Sequence, residues 1–262
     1  MTRLSVPKTY KLYLGGAFVR SESGRTDPVE GANVPRGSRK DVRDAVKAAR
    51  AGYGGWAKKT AYNRGQVLYR FAEALESRSA EFGDASEVGS AVDLLVHYAG
   101  WTDKLPAVMG GVNPVAAPFL SFSAPEPTGV VAVLAPDSPD LLGLIREIAP
   151  ALAAGNTVVA IVSRSKPLRA LDLGEVAGVS DVPGGVLNLI SGRLDELLTP
   201  LCGHRDVNAI IDATYDDDVA TTVDTLAAET VKRVSRPAPH TDSLTRLEPL
   251  MELKTAWHPV GS

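Results

Sequence analysis

The chain has 262 residues, 44% hydrophobic and 23% charged, with a formal net charge of −3. This is the composition of a soluble globular protein built on one large α/β domain, and its mild acidity gives no electrostatic reason to seek nucleic acid or an anionic membrane. No apolar run reaches the roughly 20 residues of a membrane helix, residues 1–9 carry no apolar signal-peptide core, and a single cysteine excludes an internal disulfide, so a cytoplasmic location is expected.

In chain order, Lys11 to Val19 (KLYLGGAFV) reads as a hairpin turning at Gly15-Gly16. Three helices follow. Lys40 to Ala51 has Val42, Ala45, Val46 and Ala49 on one face, Asn63 to Arg78 has Val67, Leu68, Phe71 and Leu75, and Ala91 to Leu105 has Leu94, Leu95, Tyr98 and Trp101. From Gly129 the character changes to strict alternation. Strands are expected at Val130 to Leu134, Thr157 to Val162, Gly185 to Ile190, Val207 to Ile211 and Val231 to Val234. Helices are expected between them at Leu141 to Ala154, Leu168 to Ala177, Leu194 to Cys202 and Asp217 to Ala228. Such alternation predicts a doubly wound parallel sheet whose ligand edge lies beyond the carboxyl ends of its strands. Ser235 to Pro249, with three prolines and no periodicity, reads as a linker, and Met251 to Trp257 regains strand character.

Several segments are familiar. The opening YKLYLGGAFVRSESGR, then VHYAGWTDK (96–104), EPTGVVAVLAP (126–136), IREIAPALAAGNTVV (145–159), VPGGVLNLISG (182–192), HRDVNAI (204–210) and LKTAW (253–257) occur in one colinear order. Together they resemble the aldehyde dehydrogenase superfamily, and the opening is similar to the non-catalytic second unit of its tandem-domain branch. The resemblance implies a Rossmann-like α/β fold with N-terminal helices and a small oligomerisation arm, with the catalytic domain missing between Val234 and about Leu247. It divides the chain into a hairpin and helices packing on the Rossmann-like domain (1–117), an arm (118–128), the Rossmann-like domain (129–234), a linker (235–249) and a C-terminal arm strand (250–262). Phe119, Phe122, Leu253 and Trp257 are its expected interface residues.

The family's chemistry needs a thiolate nucleophile, an asparagine that donates to the oxyanion and a glutamate base. By the resemblance, Ser138 stands where the asparagine belongs, and the run around Pro237 replaces the glutamate motif. Cys202 sits among Leu198, Leu201 and Gly203 on a Rossmann helix, where a small buried hydrophobe is expected rather than a nucleophile. The lysine and glutamate that hold the adenosine ribose are replaced by Ile161 and Arg164, and the phosphate turn has become DATYDDD (212–218). No catalytic residue and no NAD or NADP is therefore expected. Ser163, Arg164 and Lys166 keep a remnant anion case, with a solvated basic turn as the plainer reading. His97, His204, His240 and His258 share no metal-ligand spacing, and Asp216 to Asp218 reads as a helix cap. The expected function is a non-catalytic partner of a full-length aldehyde dehydrogenase, in a hetero-oligomer or homo-oligomer. The alternatives are an NAD(P)-dependent oxidoreductase with residual activity and a nucleotide or small-molecule sensor using the remnant cleft.

Overall fold

A computed structural model describes residue 4, residues 6–241 and residues 244–260. Parts of the expected signal-free N-terminus (1–3 and 5), of the linker (242–243) and of the C-terminal arm (261–262) lie outside the described residues. The central sheet contains β1 (Leu12–Leu14), β2 (Ala17–Val19), β7 (Val130–Leu134), β8 (Thr157–Ile161), β9 (Leu187–Ile190), β10 (Ala209–Asp212) and β11 (Arg233–Ser235). Their order is β11-β10-β7-β8-β9-β1-β2. The strands from β7 to β11 are parallel, as the alternation requires, and β7, β8, β9 and β10 are buried throughout.

The order reverses at β7, where the chain first steps outward to β8 and β9 and later returns to β10 on the other side. The helices are α1 (Arg39–Ala57), α2 (Ala61–Ser77), α3 (Ala85–Trp101), α4 (Leu105–Met109), α5 (Asp140–Ala153), α6 (Leu168–Val179), α7 (Leu194–Cys202) and α8 (Asp217–Ala228). One core packs α2, α3, α5 and α6 against the sheet, and a second packs α1, α7 and α8 against its other face. The sheet is doubly wound, the fold class that the alternation implies.

The opening hairpin joins this sheet. β1 pairs antiparallel with β9 through Tyr13 and Leu189, and Asn188 Oδ1 accepts from the Gly15 N–H at 2.8 Å. Gly15 and Gly16 take the left-handed backbone the tight turn needs, with φ of 63° and 84°. A second hairpin, β3 (Thr26–Val29) and β4 (Ala32–Pro35), was not expected. It turns through Glu30 and Gly31, both with positive φ, while Pro28 and the lack of alternating apolar residues in TDPV hide it from a search for period-2 strands.

The arm is a separate three-stranded sheet in the order β12-β6-β5, from β5 (Gly111–Asn113), β6 (Phe119–Pro127) and β12 (Met251–Pro259). Its strand β5 comes from the stretch expected to belong to the helices. Asn113 Nδ2 donates to the Ser121 and Ser123 hydroxyls and ties it to β6.

The expected linker is packed. Leu247 and Leu250 are fully buried, and Arg246 forms an ion pair with Glu147 of α5 in which both side chains are 2% exposed. Three prolines suggest a loose tether, but one arginine and two leucines bring the segment onto α5. The peptide connecting β11 to β12 is thus a strap of residues 236–250, too short to hold a second α/β domain.

Candidate functional site

At the carboxyl edge, the loops after β7, β8 and β10 meet around the switch point, the place where an open α/β sheet usually binds its ligand. Binding an anion there requires free N–H groups at helix starts and turns. This protein's own carboxylates take those groups.

Asp137, after β7, accepts from the Ser163 hydroxyl at 2.8 Å and from the Arg164 and Ser165 N–H groups at 2.8 and 3.3 Å. Burial pushes its carboxyl up, but the hydrogen bonds from Ser163, Ser165 and Arg164 outweigh this and hold it below the usual carboxylate range. The Ser163 hydroxyl also accepts from the Lys166 N–H. At the start of α5, Glu87 reaches over from α3 and accepts from the Leu141 and Leu142 N–H groups at 3.1 and 2.9 Å. Glu87 in turn pairs with Arg169, which also binds the buried Asp140. At the start of α8, Asp216 accepts from the Asp218 and Val219 N–H groups, the cap expected of that acidic run. Asp212, at the end of β10, is 3% exposed and holds Thr214 and Arg236.

Three carboxylates, Asp137, Glu87 and Asp216, accept from N–H groups that a phosphate at this edge would use. Glu87 has no signal in the sequence, because it lies 54 residues from the N–H groups it caps.

Of the weak anion candidates, Ser163 is buried while the Arg164 and Lys166 side chains point into solvent. Arg164 lines a cavity of about 160 Å³ with Leu134, Asp137, Ile161, Thr214 and Asp216. That is below the roughly 300 Å³ at which ligand pockets begin. Ile161, at the family's lysine position, is 3% exposed and presents an apolar wall. Ser163 and Arg164 also line an adjacent cavity of about 350 Å³ with Asp27, Pro167 and Arg193.

Ser138 is exposed and Pro237 half-buried. Cys202 is fully buried, and burial, with the nearby Asp212, pushes its thiol up to about 12. A raised value favours the neutral thiol. The stability it contributes is therefore complete below pH 9 and is lost as pH rises towards 12. Iodoacetamide is expected to modify Cys202 only at the rate of unfolding, and labelling as fast as that of a small-molecule thiol at neutral pH would overturn its burial. No group of three or more His, Cys, Asp or Glu that could hold a metal ion occurs among the described residues.

The expected interface residues lie on the arm but not on one face. In the β6–β12 register, Trp257 is opposite Ser121 and Leu253 opposite Pro125, so they share a face with Phe119. Phe119 and Trp257 stack edge to face at 6.0 Å. Phe122 is opposite Ala256 and sits on the other face beside Leu120 and Val112. All four are exposed, at 39% for Phe119, 41% for Phe122, 62% for Leu253 and 60% for Trp257. The period of two along a strand puts Phe119 and Phe122 on opposite sides, and the arm presents apolar groups on both.

The aldehyde dehydrogenase family profile matches residues 22–236. The chain is 34% identical over 223 residues to aldehyde dehydrogenase family 2 member B4, mitochondrial, of Arabidopsis thaliana, covering 76% of this chain and 41% of that protein. It is 34% identical over 227 residues to 2-hydroxymuconic semialdehyde dehydrogenase of Pseudomonas sp. (strain CF600), covering 78% of this chain and 47% of that protein. Among solved structures, the NAD+ complex of aldehyde dehydrogenase from Bacillus cereus superposes with a TM-score of 0.80 at 25% identity, over 87% of this chain and 50% of that one. The chain spans less than half the length of these two curated relatives. No helix among the described residues is long and apolar enough to cross a membrane.

Proposed function

We propose that this chain, which belongs to the aldehyde dehydrogenase family, is a non-catalytic member that serves as a structural or regulatory subunit of an active aldehyde dehydrogenase. The observation that carries this reading is the saturated carboxyl edge. Asp137, Glu87 and Asp216 occupy the N–H groups of the β8–α6 turn and of the α5 and α8 starts. A dinucleotide would have to displace three charge-assisted caps, each stronger than a neutral hydrogen bond. The single thiol is buried, Ser138 offers a shorter donor than an asparagine amide, and Pro237 has no side-chain base. The arm exposes Phe119, Phe122, Leu253 and Trp257 on its two faces, which supports association.

Two measurements test the two halves of this reading. With simple aldehydes and NAD+ or NADP+, the isolated chain is expected to form no reduced nicotinamide. Turnover above the protein-free control would overturn the non-catalytic half. In a pull-down of the tagged chain from its source lysate, a full-length aldehyde dehydrogenase is expected in near-equal amount, and a Trp257→Asp variant is expected to lose it. Recovery of no dehydrogenase, or its undiminished recovery by Trp257→Asp, would overturn the partner half.

A further inference from the structure

The face built by α1, α7 and α8 holds a cleft of about 1030 Å³ that shares no lining residue with the remnant cofactor cavity. Its walls carry Arg25 from the β2–β3 connection and Arg39, Lys40 and Arg43 from the first turns of α1. Its floor includes Pro200 of α7 and Leu226 of α8.

We propose that this cleft binds a phosphorylated small molecule, with the Arg25, Arg39 and Arg43 guanidinium groups on the phosphate and an apolar body laid on Pro200 and Leu226.

The charges are arranged in a way that helix stability does not reward. Arg39 and Arg43 are four residues apart on α1, where like charges repel by a few tenths of a kcal/mol. Val42, Ala45, Val46 and Ala49 bury the inner stripe of the helix, and Arg39, Lys40 and Arg43 beside it are exposed and line the cleft. Two rim acids line the cleft as well, Glu22 and Glu229. Glu22 pairs with Lys40 at 3.2 Å, and Arg43 pairs with its neighbour Asp44. Arg25 and Arg39 form no ion pair among the described residues. In a chain whose net charge is −3, four cations around one concavity are a local excess. Guanidinium groups suit it to phosphate, because their planar donors match phosphate oxygens in pairs where an ammonium offers only a point charge. The apolar floor gives the remainder of the ligand a surface that a free inorganic anion would not use, and the volume lies at the upper end of the range for small-molecule sites.

Isothermal titration of the full chain with ADP and with inorganic pyrophosphate tests this, with sodium sulfate at matched ionic strength as control. ADP is expected to bind saturably at one site and more tightly than pyrophosphate. Arg39→Ser/Arg43→Ser is expected to weaken ADP roughly tenfold or more. Leu226→Ser is expected to weaken ADP while leaving pyrophosphate unchanged. Arg164→Ser/Lys166→Ser, at the remnant cofactor edge, is expected to change neither. All these side chains except Leu226 are exposed, so circular dichroism checks folding chiefly for Leu226→Ser. Absence of saturable ADP binding overturns the site. So does binding that survives Arg39→Ser/Arg43→Ser, or that is lost with Arg164→Ser/Lys166→Ser. Equal affinity for ADP and pyrophosphate overturns the apolar half of the assignment and identifies bare phosphate as the ligand.

Discussion

Replacing Arg246 with methionine is expected to destabilise the protein by about 3–5 kcal/mol, the usual effect of removing one partner of a buried ion pair. The Arg246 Nη1 donates to both Glu147 oxygens at 2.6 Å, Nη2 donates to the Ala238 carbonyl at 2.6 Å, and Nε donates to the Thr241 carbonyl. Methionine fills much of the volume but strips the buried Glu147 carboxylate of its guanidinium and two strap carbonyls of their donor. In a domain of this size the loss corresponds to a fall in Tm of roughly 6–20 °C, at about 2–4 °C per kcal/mol. Pairing Arg246→Met with Glu147→Leu is expected to recover much of the loss, because an apolar pair of similar volume carries no desolvated charge. Urea denaturation of the three variants measures both effects. A loss under about 1 kcal/mol in the single variant would mean that the strap is not an integral part of the fold.

The second large effect is expected at Gly185, in the lead-in to β9. Its φ is 85°, and a Cβ there would stand 2.3 Å from the Ala48 carbonyl oxygen of α1. Alanine must therefore adopt a left-handed backbone, at about 1–3 kcal/mol, and also push a helix backbone away. A Cβ at Gly184 would stand 2.6 Å from the Gly15 carbonyl oxygen, so the glycine pair in VPGG lets α1, the opening hairpin and the lead-in to β9 pack backbone to backbone. Gly185→Ala is expected to cost about 3 kcal/mol or more. Gly54, in the last turn of α1, has nothing within 4 Å of its would-be Cβ. Gly54→Ala is expected to stabilise by about 0.5–1 kcal/mol, the helix-propensity gain. Equilibrium unfolding of both variants should give opposite signs. Two changes of the same sign would mean that close approach does not govern Gly185.

These glycines also mark how far the sequence could be read. VPGGVLNLISG is legible as a family segment and as a strand with its lead-in, but the reason for the glycine pair is a contact with α1, more than 130 residues earlier in the chain. The opening hairpin is legible because its turn is local, with Gly15 and Gly16 both in left-handed conformation. The β3–β4 hairpin is not, because Pro28 and the lack of alternating apolar residues in TDPV imitate a loop. The arm strands could be found by composition, but their two faces could not be separated without the register that pairs Trp257 with Ser121 and Ala256 with Phe122. The strap was misread for a similar reason. Its prolines are local and speak of a linker, whereas its one decisive contact joins Arg246 to Glu147 across 99 residues.

By itself, the sequence determined the alternating strands and helices, the doubly wound sheet and the acidic cap at the start of α8. Those properties depend on residue identity and on periodicities spanning a few residues, and both are present in the unfolded chain. Only the tertiary structure decided that the carboxylates at the ligand edge are hydrogen-bond acceptors for its N–H groups, that Arg246, Leu247 and Leu250 of the strap are buried, and that α1 brings its cations to a cleft. Each of these depends on groups far apart in sequence meeting within about 3 Å, a distance set by the packing of the sheet and helices rather than by any local pattern.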